Sequence, residues 1–365
     1  MISIHFREKI EKSAHFHETV TKRGEKKLSS LNTTCEKISE IKHNHVYENS
    51  CTKLAECLST FVYYVKARSN VYIFAFATFI SFLLGSHGHE LNYYIAIRIV
   101  FSSYLMALAT YIYNDIADIE VDKINKTNRP SVAGKATGEQ LKIIVLVLNG
   151  TALLLTFSVG LYVLYISVLF IALGFAYSHP RLNLKDKFPL KTVVTAAGAA
   201  LLSLLGGTAG FMTATTTGSS YNGSSFLSSY YLPVGYAALC FFSFFFILGP
   251  LGDICDLKGD RAVGRRTFPI VLGIRSTIIC MLTVPLTIIL MAGLLVYHFY
   301  HDNPTHVISL PGLYFLVGTC IATLVFILRI SKKAYANDVS AIKSTRPKMR
   351  LLHIVLQISL LLTFI

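Results

Sequence analysis

From residue 70 onward the chain alternates between long apolar runs and short polar connections. Nine runs stand out, at 70–86, 93–113, 141–158, 161–177, 192–213, 231–251, 274–298, 308–330 and 350–365. An apolar run of roughly 18 residues is long enough to cross a bilayer as a helix. The pattern therefore predicts an all-α integral membrane protein with nine transmembrane helices over residues 70–365. The third and fourth runs are divided only around Gly160, so a tight turn is expected there. Residues 53–69 follow a different period. Leu54, Leu58, Phe61, Val62 and Val65 recur at helical spacing, which predicts an amphipathic helix lying in the membrane interface. Residues 1–52 have no sustained apolar period and read as a basic, disordered cytoplasmic extension. Their first part lacks the apolar core of a cleavable signal peptide.

Composition agrees with the pattern. The 365-residue chain is 53% hydrophobic and only 15% charged, against ~25% charged residues in an ordinary soluble domain. Its net charge of +14 would suggest nucleic acid in a soluble protein, so the positions of the charges matter. Basic residues crowd the segment before residue 70 and the connections 114–142, 178–191, 252–275 and 329–350. The connections between them, at 87–92, 159–160, 214–230 and 299–307, contain no Lys or Arg. Such alternation is the positive-inside pattern. It predicts a multi-pass protein of the cell membrane with a cytoplasmic N-terminus and an external C-terminus, and it leaves no need for a nucleic-acid partner. The outer connection 214–230 is rich in Ser, Thr and Gly and contains the sequon Asn222-Gly223-Ser224, a candidate glycosylation site. The seven cysteines show no paired spacing of a disulfide framework. Cys35, His43, His45, Cys51 and Cys57 could form a zinc cluster, but without a C-x-x-C pair a plain tail is the simpler reading.

Two of the basic connections open with the same acidic pattern. The first is Asp115-x-x-Asp118-x-x-x-Asp122 and the second Asp253-x-x-Asp256-x-x-x-Asp260. Spacings of three and four put the carboxylates of each motif on one helical face. Like charges that close repel unless a cation lies between them. Oxygen ligands suit Mg²⁺, which bridges protein carboxylates to substrate phosphates. Arg129, Arg181, Lys185, Lys187, Arg265 and Arg266 in the same connections are candidates for the phosphate oxygens themselves. Acids and bases together at one membrane face point to a metal–diphosphate substrate and to ionisation of an allylic diphosphate. Tyr111, Tyr113 and Tyr177, at the ends of apolar runs, could offer π-faces to the allylic cation. Paired acidic repeats could also serve a divalent-cation transporter. Transporter sites, however, lie near the bilayer midplane, and these aspartates sit at run ends.

The stretch Asn114-Asp115-Ile116-Ala117-Asp118-Ile119-Glu120-Val121-Asp122 resembles the N-D-x-x-D-x-x-x-D signature of the UbiA superfamily of intramembrane prenyltransferases. Its continuation through Asn125, Asn128, Arg129 and Pro130 resembles that superfamily's D-x-x-N-x-x-N-R-P extension. Asp253-Ile254-Cys255-Asp256-Leu257-Lys258-Gly259-Asp260-Arg261 resembles its second motif, with Gly264, Thr267, Pro269 and Gly273 fitting downstream. The resemblance implies nine helices around a central cavity and Mg²⁺-dependent prenyl transfer from an isoprenoid diphosphate. By resemblance, Asn114, Asp118 and Asp122 organise one Mg²⁺–diphosphate site and Asp256 and Asp260 the other, with Asp115 and Asp253 assisting. Arg129, Tyr177, Arg181, Lys185 and Arg68 would contact the diphosphate. The similarity is strongest to the branch that adds a geranylgeranyl group to geranylgeranylglyceryl phosphate in ether-lipid synthesis. Gly249-Pro250-Leu251-Gly252 stands where that branch tends to have Arg-Glu and Lys. Aromatic quinone-pathway and chlorophyll-type acceptors therefore stay open.

Overall fold

The computed structural model describes residues 44–86, 91–124, 132, 136–216, 223–302, 308–336 and 338–364. Expectations for the tail before residue 44, for Arg129 and for Asn222 fall outside these residues. The chain divides between Val62 and Tyr63, and the membrane body begins at Tyr63. Helix α1, Asn44–Ala67, contains the amphipathic stretch and starts ahead of position 53.

All regular structure among the described residues is helical. After α1 come α2 (Tyr72–Ser86), α3 (Tyr93–Ala117), the short α4 (Ile119–Ile124), α5 (Gly138–Phe157), α6 (Leu161–Ser178), α7 (Leu190–Thr216) and α8 (Gly223–Ala262). They are followed by α9 (Phe268–Val271), α10 (Gly273–Asp302), α11 (Leu310–Tyr335), α12 (Val339–Lys343) and α13 (Arg346–Phe364). Eight helical stretches among them are long and apolar enough to cross a membrane, one fewer than the nine apolar runs. The difference lies in the first run, where α2 reaches that length only together with the end of α1, from which it is bent by 74°; counted as one span, the pair makes nine. A 3-10 turn at Ser69–Val71 delays the helix to Tyr72, which leaves α2 with 15 residues. At 1.5 Å per residue that is about 22 Å, short of a ~30 Å hydrocarbon core.

The bundle closes around small residues. The run Ala-Ala-Gly-Ala-Ala with Gly206, Gly207 and Gly210 lies on α7. There α2 packs so closely that a Cβ on Gly206 would overlap the carbonyl oxygen of Thr78, and one on Gly210 that of Phe82. Lipid gives apolar side chains no reason to leave it, so small residues and polar cross-links hold such helices together. Ser81 and Ser203 hydroxyls meet at 2.7 Å, and Thr78 Oγ1 donates to the Leu202 carbonyl at 3.0 Å. This contact fixes α2 and α7 as one wall, and both contribute residues to the cavity described next.

Helix ends place the chemistry. Helix α3 stops at Asp118, yet the Asp122 amide still donates to the Asp118 carbonyl at 2.9 Å. The first motif therefore straddles a helix break instead of lying on one continuous face. The second motif lies wholly within the last turns of α8. Beyond it, Gly264 adopts φ +74°, a left-handed conformation that costs glycine little. That turn brings the Arg265 amide back onto the Asp260 carbonyl at 2.9 Å.

Candidate active site

A cavity of about 340 Å³ opens where these helix ends converge. Its polar end is lined by Asn114, Asp118, Asp122, Asp253, Asp256 and Asp260, so five of the six motif aspartates share one space. Its other walls are apolar and aromatic, with Ile73, Phe74, Phe170, Leu173, Phe245 and Leu248. A polar head and an apolar tail fit the same space together.

Buried carboxylates need partners, and basic side chains from three different segments supply them. Lys185 is buried on the 3-10 turn Leu184–Asp186 and donates Nζ to Asp118 Oδ1 at 2.7 Å. Lys191, in the first turn of α7, holds Asp253 at 2.6 Å and Asp260 at 3.2 Å. Arg265 joins the two motifs, with Nη2 on Asp118 and Nη1 on Asp260 at 3.4 Å. Its Nε donates to Asp186 Oδ1 at 2.6 Å, and Asp186 is itself held by Asn183. Burial opposes ionisation of Asp118, but Arg265 and Lys185 outweigh it and hold its carboxyl below the usual range. Burial likewise lowers the Lys185 ammonium, against the pull of Asp118. For Arg265 the carboxylates prevail over burial, so its guanidinium is held charged more firmly than usual.

Asn114 sets the orientation of the first motif. Its Nδ2 donates to Asp118 Oδ2 at 2.9 Å, while the buried Ser178 hydroxyl donates to Asn114 Oδ1 at 3.1 Å. An amide can make both bonds at once and a carboxylate cannot.

Asp115 stands apart from the other five. It is fully buried, does not line the cavity, and receives Nε and Nη2 of Arg68 bidentately, one on each carboxylate oxygen. Arg68 also lies 5.1 Å from the ring centre of Tyr111, within cation–π range. Arg68 and Tyr177 line the cavity, whereas Lys185 reaches Asp118 from behind it. Arg181 is exposed and does not line it. Tyr113 stacks on Phe175 at 5.4 Å and is also absent from the lining.

Lys191, Arg346 and Arg350 line the cavity although charge counting assigns them only to topology. Arg346 Nη2 donates to the Gly252 carbonyl at 2.8 Å and to Asp256 at 3.3 Å. Thus the last helix supplies a cation over the very stretch, Gly249 to Gly252, that departs from the ether-lipid pattern. The four-residue spacing of Arg346 and Arg350 is the signal for a shared face.

The metal expected at the motifs has a fitting donor set. All the carboxylates are oxygen donors, and Asp253 Oδ2 is buried with no hydrogen-bond partner among the described residues. No three acidic, His or Cys side chains converge into a ready cage among those residues. Asp118, Asp253, Asp256 and Asp260 are drawn instead toward Lys185, Lys191, Arg265 or Arg346.

The sequence profile of the UbiA prenyltransferase family matches residues 74–354. A protein named digeranylgeranylglyceryl phosphate synthase from Sulfurisphaera tokodaii is 27% identical over 248 residues, covering 67% of this chain and 77% of the relative. A solved structure from a study of digeranylgeranylglyceryl phosphate synthase in membranes has a TM-score of 0.61 at 18% identity, covering 84% of this chain and 98% of the other. A UbiA homologue from Archaeoglobus fulgidus bound to GPP and Mg²⁺ has a TM-score of 0.56 at 14% identity, covering 82% and 99%.

Proposed function

Because the chain belongs to the UbiA prenyltransferase family, we propose that it moves a geranylgeranyl group from its diphosphate to geranylgeranylglyceryl phosphate with the help of Mg²⁺. That it is a membrane-embedded prenyltransferase follows from the family; the metal and both substrates are the proposal. The observation that carries it is the cavity itself. Two aspartate motifs face one space with Lys191 and Arg265 between them, and apolar walls continue from it. The acceptor rests on the curated relatives, which are digeranylgeranylglyceryl phosphate synthases.

In this reading Asp118, Asp122, Asp256 and Asp260 hold Mg²⁺, with Asp253 assisting and Asn114 aiming Asp118. Bound Mg²⁺ supplies positive charge to the diphosphate as it leaves. Lys191 and Arg265 answer the negative charge that develops on the departing oxygens, while Lys185 holds Asp118 from behind. With Mg²⁺ held by the carboxylates, Lys191 and Arg265 would be free to face the phosphates. The donor C1–O bond breaks and its electron pair leaves with the diphosphate. A hydroxyl oxygen of the acceptor forms the new C–O bond at C1 and gives up its proton to the departing diphosphate. Tyr111 and Tyr177 border the space where the allylic cation forms, and the aromatic walls keep water from it.

The test is a screen of purified protein with geranylgeranyl diphosphate against geranylgeranylglyceryl phosphate and aromatic acceptors. We expect Mg²⁺-dependent transfer to the glyceryl phosphate, abolished by chelation. Transfer to an aromatic ring alone, or full turnover in chelator, would refute it.

The orientation belongs to the same proposal: nine spans, both motifs in the cytoplasm, the N-terminus inside and the C-terminus outside. The alternation of Lys and Arg supports it. A C-terminal alkaline phosphatase fusion is then active and a C-terminal fluorescent-protein fusion dark. The opposite pair of results would mean an even number of spans.

A further inference from the structure

Six basic side chains serve this site, in two sets that share no partner. Lys185, Lys191 and Arg265 sit on Asp118, Asp253 and Asp260. Arg68 and Arg346 sit on Asp115 and Asp256. Arg350 lines the same cavity and makes no hydrogen bond or ion pair among the described residues. Its charged and ring neighbours are Tyr111, Tyr72, Arg346 and Arg68. Arg346 and Arg350 are one turn apart on α13, which puts them on the same side of the helix.

The second set thus has three guanidinium groups, the two carboxylates paired with Arg68 and Arg346, and Asp122 on the same cavity, whose charge also acts on Arg68. Arg350 itself has no carboxylate among its neighbours and sits half-buried on a cavity wall beside two groups of the same sign. Such an arrangement is unfavourable until an anion enters. A guanidinium presents a planar fork of donors that matches phosphate oxygens. The donor's diphosphate is already met by the first set, so an arginine on the cavity wall without a carboxylate of its own calls for a second anion.

We propose that Arg350, flanked by Arg68 and Arg346, holds the anionic headgroup of the acceptor, a phosphate monoester. It thereby selects phosphorylated acceptors over neutral ones. The inference rests on the reading of the cavity as a prenyl-transfer site. Arg350 is here a binding and specificity residue that takes no part in cleaving the donor.

The experiment uses the full chain in nanodiscs of zwitterionic lipid, with geranylgeranyl diphosphate as donor. Geranylgeranylglyceryl phosphate and its dephosphorylated alcohol are compared as acceptors. In Arg350→Ala the KM for the phosphorylated acceptor rises about 10–100-fold, the loss expected for a hydrogen bond to a charged group. The donor KM stays unchanged, preference for the phosphate over the alcohol is lost, and Arg350→Lys restores much of it. An unchanged acceptor KM overturns the inference. So does an equal rise in donor KM, which would assign Arg350 to the diphosphate. An effect that appears only in anionic nanodiscs also overturns it, because the bound phosphate would then be a bilayer headgroup. Wild-type transfer to aromatic acceptors but to neither glyceryl acceptor overturns the acceptor reading itself, and this inference with it.

Discussion

Asp118→Ala reduces prenyl transfer by roughly 10²–10³-fold or more, the scale on which removing one preorganised electrostatic partner acts in other enzymes. Asp118 is the most connected carboxylate of the site. It receives Lys185 and Arg265 and is aimed by Asn114, which Ser178 holds in turn. In the proposed function it is also a Mg²⁺ ligand. Its loss leaves two buried cations facing each other, and breaking a buried ion pair costs about 3–5 kcal/mol. Activity and thermal unfolding therefore need to be measured together. Asp118→Asn narrows the difference, because it keeps the shape and one acceptor oxygen for Lys185 and Arg265 while removing the charge and the acceptor that takes Asn114. A folded Asn variant with wild-type turnover would sink the assignment.

Arg265→Ala has the second large effect. This one guanidinium reaches Asp118 of the first motif, Asp260 of the second and Asp186 of the intervening loop. Without it the two motifs lose their direct link, and turnover falls by roughly 10²–10³-fold. The variant also tells a catalytic cation from a merely structural one. Arg265 competes with metal for Asp118 and Asp260, so its removal lowers the Mg²⁺ concentration needed for half-maximal activity even as kcat falls. Arg265→Lys rescues only part of the rate, since an ammonium cannot span three carboxylates as a planar fork does. A Mg²⁺ requirement that rises in Arg265→Ala would contradict this competition.

The spans and both motifs were legible because each is written in consecutive residues. Hydropathy marks a helix through its own run of side chains, and a 3-then-4 spacing of Asp is visible along the chain. The first span is the least legible, because the turn at Ser69–Val71, and not hydropathy, decides where α2 begins. What joins the motifs was less legible. Arg265 reads as one of several loop cations until the positive φ of Gly264 turns it back on Asp260. Lys191, Arg346 and Arg350 read as topology signals, because positive-inside counting gives every such residue a sufficient reason to be there. Asp115 looks identical to its neighbours in the motif. Only the packing of α3 against the turn after α1 pairs it with Arg68 and away from the cavity.

The central claim is that both aspartate motifs act on one diphosphate. It is tested most directly by equilibrium binding of a non-reactive thiolodiphosphate analogue of the donor to purified protein across a Mg²⁺ titration. The account predicts Mg²⁺-dependent binding by the wild type. It predicts that Asp118→Asn and Asp256→Asn, taken separately, each weaken that binding and raise the Mg²⁺ needed for it. Undiminished, Mg²⁺-dependent binding by either variant would mean that its motif takes no part in holding the diphosphate, and the claim of one shared site would fail.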